Sequence, residues 1–170
     1  MSERGITFDY IEKKIRKKTF GILSTVTPMG RPHQAGLVYV ISPPESPFRL
    51  LMATGLRSAK VKNIQVNPSV SFLVTFPHYY LRFAPAFTVT FRGNADFITI
   101  DDNDVQWTFN QKRVPRMIFN LDEKTRENMV IIRIKPEPIV HCFGLGIGIN
   151  EIRKSLSTGG YKVQIPKERL

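Results

Sequence analysis

Thr54, Ser58 and Lys60 set two hydroxyls and one ammonium within a single short stretch of chain. A phosphomonoester carries about two negative charges and needs several donors. Hydroxyls, a lysine and the exposed backbone amides at a helix start supply them. Thr54 closes the β-prone run Leu51-Met52-Ala53-Thr54, while Ser58 and Lys60 fall in the first turn of the helix that follows. One concave spot can therefore collect all three groups. Each also has a simpler reading, Ser58 as a plain helix cap and Lys60 as a solvated surface lysine. It is their joint spacing that favours an anion corner.

Other chemistry-bearing residues point nowhere so definite. His33, His78 and His141 are widely separated, and His141-Cys142 has no matching pair at metal-ligand spacing, so no metal site is expected. Cys142, within Val140-His141-Cys142-Phe143, reads as a small buried hydrophobe rather than a nucleophile. No Ser-His-Asp order is persuasive, and the catalytic residues stay unassigned. Gly144-Leu145-Gly146-Ile147-Gly148 lacks the spacing of a dinucleotide-binding turn and leaves too little chain for the second strand that turn requires. It reads as a flexible loop over a cofactor or a subunit interface.

The elements that would position these residues follow from periodicity. Thr7 caps a helix in which Phe8, Ile11 and Ile15 form the apolar stripe, and Lys13, Lys14, Arg16, Lys17 and Lys18 read as its solvated face. Residues 21–27 and 35–41 are β-prone and flank Pro28-Met29-Gly30, which predicts a hairpin. The proline-rich 42–47 segment is a loop before a strand over 48–53. Ser58 starts a helix with Ala59, Val61 and Ile64 inward and Lys60 and Lys62 outward, stopped by Asn67-Pro68. A strand over 70–76, an aromatic loop over 77–85, and a long bent strand over 87–100 that Gly93 interrupts come next. A helix over 102–110 places Val105 and Phe109 on one face, near Trp107. The strand over 130–134 follows, and 139–143 extends the sheet. About six short strands without regular strand-helix alternation predict an antiparallel barrel.

Composition bounds the partners. The chain has 170 residues, 42% of them hydrophobic, which suits one domain with one core. Lys and Arg number 25 against 14 Asp and Glu, a net charge of +11 that attracts phosphates, nucleic acid or acidic surfaces. No segment approaches the roughly 20 apolar residues that span a bilayer, and the start lacks a signal-peptide pattern. The lone cysteine suits a reducing compartment, so a cytoplasmic location and no membrane partner are expected.

Several blocks in order resemble the FMN-binding split-barrel family typified by pyridoxamine 5'-phosphate oxidase. They are Gly21-Ile22-Leu23-Ser24-Thr25-Val26 with Gly30-Arg31-Pro32-His33, then Leu51-Met52-Ala53-Thr54, then Ser58 to Ile64 running into Asn67-Pro68-Ser69-Val70-Ser71. Gly93-Asn94-Ala95-Asp96 adds the family's Gly-x-Ala-acid step. The likeness is good over roughly residues 5–100 and looser beyond. It implies FMN, or in a variant of the class a deazaflavin, with Ala53, Thr54, Ser58, Ala59 and Lys60 around the phosphate. It also implies a ring lying beside Ala35, Gly36, Leu37 and Val38. Gly36 would let the strand approach that ring closely; alternatively it marks a bulge. Arg57 and Arg82 are further candidates for the phosphate. The segment Phe76, His78, Tyr79, Tyr80 and Phe83 is either interface and ring-covering material or ordinary packing.

The vitamin-making oxidases carry arginines where Ala35 and Ala59 stand here, and hold substrate with a C-terminal tryptophan, arginine and histidine. The one tryptophan here is Trp107. The expectation is thus a family member other than the vitamin-synthesising enzyme. Its fold would be mainly β with small α elements, an antiparallel six-stranded split β-barrel with rim helices. Residues 1–170 would form one domain with an extension at about 144–170. Two copies would pair with FMN at their interface, and the protein would be an oxidoreductase exchanging electrons with an unidentified small molecule. A non-catalytic flavin carrier or sensor is the second reading. A nucleic-acid-binding barrel, motivated by the charge, is the third.

Overall fold

The computed structural model describes residues 5–77, 85–100, 103–111, 113–116 and 122–170. Helix α1 (Phe8–Ile15) is capped by Thr7, whose Oγ1 accepts from the Tyr10 amide at 3.4 Å. Phe8, Ile11 and Ile15 are buried as its periodicity requires. The predicted hairpin forms from β1 (Phe20–Val26) and β2 (Pro32–Val38), turning through Gly30 at φ +76°, a conformation open to glycine at little steric cost.

The run 35–41 does not stay in one ladder. It breaks at Tyr39, whose buried ring donates its hydroxyl to the Ile15 carbonyl at 2.6 Å, and re-enters the sheet as β3 (Val40–Ile41). The proline loop then leads to β4 (Leu50–Gly55), α2 (Ala59–Val66), β5 (Ser69–Phe76) and β6 (Phe87–Ile98). The short helices α3 (Asn103–Asn110), α4 (Arg113–Arg116) and α5 (Glu123–Glu127) precede β7 (Met129–Pro136) and β8 (Ile139–Phe143). Helix α6 (Ile149–Lys154), a 3-10 turn and β9 (Gly160–Gln164) follow, with a last 3-10 turn over Lys167–Arg169.

The pairings are antiparallel in the order β2-β1-β5-β6-β7-β4-β3, with β8 and β9 attached through β6. Because β2 and β3 are one run of chain, the two ends of that order meet at Tyr39 and the sheet curls on itself. Mainly β architecture with small helices is therefore correct. The count of six strands is not: nine are present among the described residues, since one run splits into β2 and β3, the segment 139–143 forms β8, and the tail adds β9.

Inside the curl a cluster of apolar side chains runs from α1 to β9, including Phe48 stacked on Phe91 at 5.4 Å. A second, smaller cluster on the other face of β4 and β7 holds Leu51 and Ile131 beneath Val105 and Phe109 of α3.

Gly93 does not interrupt its ladder. Val70↔Gly93 and Gly93↔Pro136 are both in register, and a Cβ at 93 would lie 2.1 Å from the Lys135 carbonyl oxygen. The glycine is there so that β6 and β7 can close. Gly93→Ala should cost about 2 kcal/mol by forcing backbone apart, read as a lower denaturation midpoint; an unchanged midpoint would contradict that packing.

The segment 144–148 is a loop as expected, and the rest of the tail packs on the sheet. Leu145, Ile147 and Ile152 are buried, and β9 pairs with β8 while burying Val163. Gly144 and Gly146 take positive φ, and the apolar residues after each of them turn into the core.

Candidate functional site

β4 delivers Thr54 at its end, and the turn Gly55-Leu56-Arg57 is fixed by the Leu56 amide on the Asn128 carbonyl (2.8 Å) and the Ser58 amide on the Gly55 carbonyl (3.0 Å). That turn starts α2. Ser58 sits at the cap position, yet its hydroxyl makes no capping bond; its Oγ lies 3.4 Å from Thr54 Oγ1. Lys60 reaches back so that its Nζ donates to Thr54 Oγ1 at 2.9 Å. The structure thus brings Thr54, Ser58 and Lys60 into one cluster, with Thr54 buried and the other two half-buried.

Burial lowers the pKa of the Lys60 ammonium from its ordinary value. Among the described residues no carboxylate is paired with it. A partly desolvated cation beside two hydroxyls, at a helix start whose first amides have no intrahelical acceptor, is suited to an oxygen-rich anion.

The helix face differs from expectation. Ala59 is exposed rather than inward, and Lys60 leans into the fold rather than outward. The buried stripe is Val61, Asn63 and Ile64. Asn63 decides it, since its amide donates to Thr25 Oγ1 at 2.9 Å and ties α2 to β1. Asparagine seldom belongs to a buried stripe, so the sequence held no signal for this anchor.

Ala35, Gly36, Leu37 and Val38 lie on β2, paired on one side with Leu23, Ile22, Gly21 and Phe20 of β1. The pairing is continuous, so Gly36 marks no bulge. Instead the Phe20 ring covers it, and a Cβ at 36 would fall 2.5 Å from Phe20 Cζ. On its other side β2 comes close to β4, but the ladder to β4 is made only by Val40↔Leu51 and Ile41↔Leu50 of β3. Beyond that pair, Ala53 and Thr54 of β4 have no ladder partner on this side among the described residues. The backbone edges left there can serve the rim of a flat ring. Arg57 is exposed in the turn beside the cluster. Arg82, His78, Tyr79, Tyr80 and Phe83 lie outside the described residues. Phe76 is half-buried, with Lys18 Nζ 5.3 Å from its ring centre.

Cys142 is buried in the core, and desolvation pushes its thiol up to about 12, as suits an inert packing residue. Among the described residues no three His, Cys, Asp or Glu side chains gather as a metal site, and no helix is long and apolar enough to cross a membrane.

A charged group that the sequence reading missed is the cross-strand trio Asp96, Arg133 and Lys135. Arg133 donates Nε and Nη2 to the two Asp96 oxygens at 2.8 and 2.7 Å, and Lys135 Nζ lies 2.8 Å from Oδ2. The spacing Arg133-x-Lys135 was the available signal, because alternate residues of a strand share a face. These bonds, Arg133 first, hold the Asp96 carboxyl below the usual carboxylate range. A depressed folded pKa contributes stability above the unfolded value and loses it as pH falls through the folded one. Asp96→Asn should therefore flatten the acid limb of a stability-against-pH curve. An unaltered limb would contradict this.

A family model described as pyridoxamine 5'-phosphate oxidase matches residues 8–142. No curated protein matches the chain in sequence. Several solved structures share the fold. A pyridoxamine 5'-phosphate oxidase-related, FMN-binding protein of Nostoc punctiforme is 17% identical, covering 96% of this chain and 93% of its own, with a TM-score of 0.59. HutZ, the heme storage protein of Vibrio cholerae, is 20% identical over 79% of this chain and 94% of its own, with a TM-score of 0.57. An F420 reductase is 22% identical over 74% and 92%, with a TM-score of 0.53. With a matched span that runs from α1 to β8 and includes both β2 and the Thr54 cluster, the chain belongs to the pyridoxamine 5'-phosphate oxidase family.

Proposed function

We propose that this chain binds FMN and is an oxidoreductase acting on a small molecule. The observation that carries the reading is the convergence of Lys60, Ser58 and Thr54 at the start of α2, within 2.9 and 3.4 Å contacts. In this reading Lys60 neutralises the phosphate and the two hydroxyls donate to it, joined by the amides of Ala59 and Lys60. Ala53 and the stretch Ala35, Gly36, Leu37 and Val38 border the ring, offering backbone donors and acceptors and little side-chain bulk. FMN supplies hydride and electron transfer when bound. The chain's own part is to hold the cofactor, orient its ring and exclude water.

A second copy would close the open side. Phe20 (55% exposed), Leu56 (43%) and Val66 (64%) present apolar surface on β1, on the turn beside the cluster and on α2, which supports a homodimer with the cofactor at its interface. A reducing cytoplasm suits the single buried Cys142.

A deazaflavin is the second reading, supported by the shared fold with the F420 reductase. The visible spectrum of the purified chain, before and after addition of FMN, separates the two by the position of the absorption maximum, and a Soret band would instead mark heme. A colourless protein that takes up no FMN would overturn the proposal. Passage of electrons from the photoreduced flavin to members of a panel of acceptors would separate an oxidoreductase from a carrier.

A further inference from the structure

Leu23 of β1, Phe72 of β5 and Phe91 of β6 stand in register across three strands and belong to the main core. Their chain neighbours Ser24, Ser71 and Arg92 are in register too, so all three share the outer face of the sheet. Val26 and Pro32, paired across the hairpin, lie further along that face. The connection from β7 to β8, Pro136-Glu137-Pro138, comes up beside Arg92, with the Glu137 amide donating to the Arg92 carbonyl at 2.7 Å. Ser24, Ser71, Arg92, Glu137, Val26 and Pro32 all line one cavity of about 300 Å³. It lies at the Val26 end of β1, and the exposed Phe20 is at the other end.

The lining carries one cation and one carboxylate, and they do not meet. Arg92 and Glu137 are both exposed, and among the described residues neither side chain makes a hydrogen bond or an ion pair. The prolines on either side of Glu137 restrict its backbone, which keeps the turn where it is. The Ser71 hydroxyl, set between Ser24 and Arg92, likewise makes no protein hydrogen bond among the described residues. Ser24 Oγ accepts from Gln34 Nε2 at 3.4 Å, which leaves its own proton for a ligand. A simple anion here would set its charge against Glu137, and a simple cation against Arg92. A molecule that carries both charges satisfies both walls. Val26 and Pro32 give its remaining part an apolar seat, and a volume at the small end of ligand pockets limits its size.

We propose that this cavity is a second ligand site, taking a small zwitterion of the α-amino-acid type. Its carboxylate meets Arg92 and Ser71, its ammonium meets Glu137, and its apolar side chain lies on Val26 and Pro32. The proposal does not rest on the flavin reading.

The test is titration of the full nitrogen-15-labelled chain at low ionic strength, followed by amide chemical shifts in two-dimensional NMR spectra. The probes are L-leucine, 4-methylpentanoate, which lacks the ammonium, and 3-methylbutylamine, which lacks the carboxylate. Leucine should shift the Ser71 and Arg92 amides saturably, and each single-charge analogue should bind roughly fivefold more weakly, as the loss of one exposed ion pair allows. Arg92→Gln should remove the preference for leucine over the amine, and Glu137→Gln the preference over 4-methylpentanoate. Both side chains are exposed, and the spectra themselves report whether each variant is folded. The proposal is overturned if leucine does not saturate, if either analogue binds as tightly as leucine, or if either variant binds leucine like wild type. Saturable shifts that leave the Ser71 and Arg92 amides unmoved would also overturn it.

Discussion

Replacing Lys60 with Ala should weaken FMN binding by roughly ten- to a hundredfold, the loss expected when a charged hydrogen bond to a partly desolvated anion is removed. The ammonium bonds within the cluster, with Nζ 2.9 Å from Thr54 Oγ1, which in turn lies 3.4 Å from Ser58 Oγ. Thermal stability of the cofactor-free chain should change little, because the lysine is already disfavoured by burial in that state. Lys60→Arg should recover part of the affinity, restoring charge without the same reach. Fluorescence titration of FMN into the three proteins measures this. Equal affinities across them would remove the phosphate from this corner.

The largest effect on stability is expected at Glu12. Its carboxylate lies on the inward side of α1, 6% exposed, and receives two arginines, Arg16 one helical turn on and Arg169 from a distant part of the chain. Arg16 bonds Oε1 through Nε at 3.0 Å and Nη2 at 2.5 Å, and its Nη2 also donates to the Ser42 carbonyl at 2.6 Å. Arg169 bonds both carboxylate oxygens at 3.0 and 3.3 Å and reaches the Ser46 carbonyl at 3.1 Å. Glu12 is thus the hub joining α1, the 42–47 loop and the last 3-10 turn. Removing it leaves two guanidiniums that are 28% and 16% exposed facing only carbonyls. Glu12→Ala should cost about 3 kcal/mol, a fall in midpoint of roughly 6–12 °C for a chain of this size. Thermal denaturation checks it, and a midpoint within a degree or two of wild type would show that the hub is dispensable.

Glu12 also marks where sequence reasoning stopped. The apolar stripe of α1, the hairpin around Gly30, the proline loop and the strands β5 and β7 were legible because each is written in local periodicity or turn chemistry. The tail was not, since what orders it comes from afar: Arg169 on Glu12, and the Phe48 amide on the Arg169 carbonyl at 2.7 Å. No local pattern announces such partners. The lysine-rich face of α1 reads similarly. Lys13 and Lys17 are exposed as a solvated face requires, but Arg16 belongs to the hub.

The same distinction holds at the candidate site. Thr54, Ser58 and Lys60 were legible because a strand end and a helix start put them close in sequence as well as in space. The orientation of α2 was not, because it rests on Asn63 reaching Thr25 across the fold. Gly36 was recognised as a position of close approach, and the group that approaches is Phe20 of the neighbouring strand.

Paired titrations with FMN and riboflavin test the central claim most directly, because the two ligands share a ring and differ in the phosphate. The account predicts saturable FMN binding near one per chain and riboflavin weaker by at least about tenfold. Equal affinity for the two, or no binding of FMN at all, would contradict it.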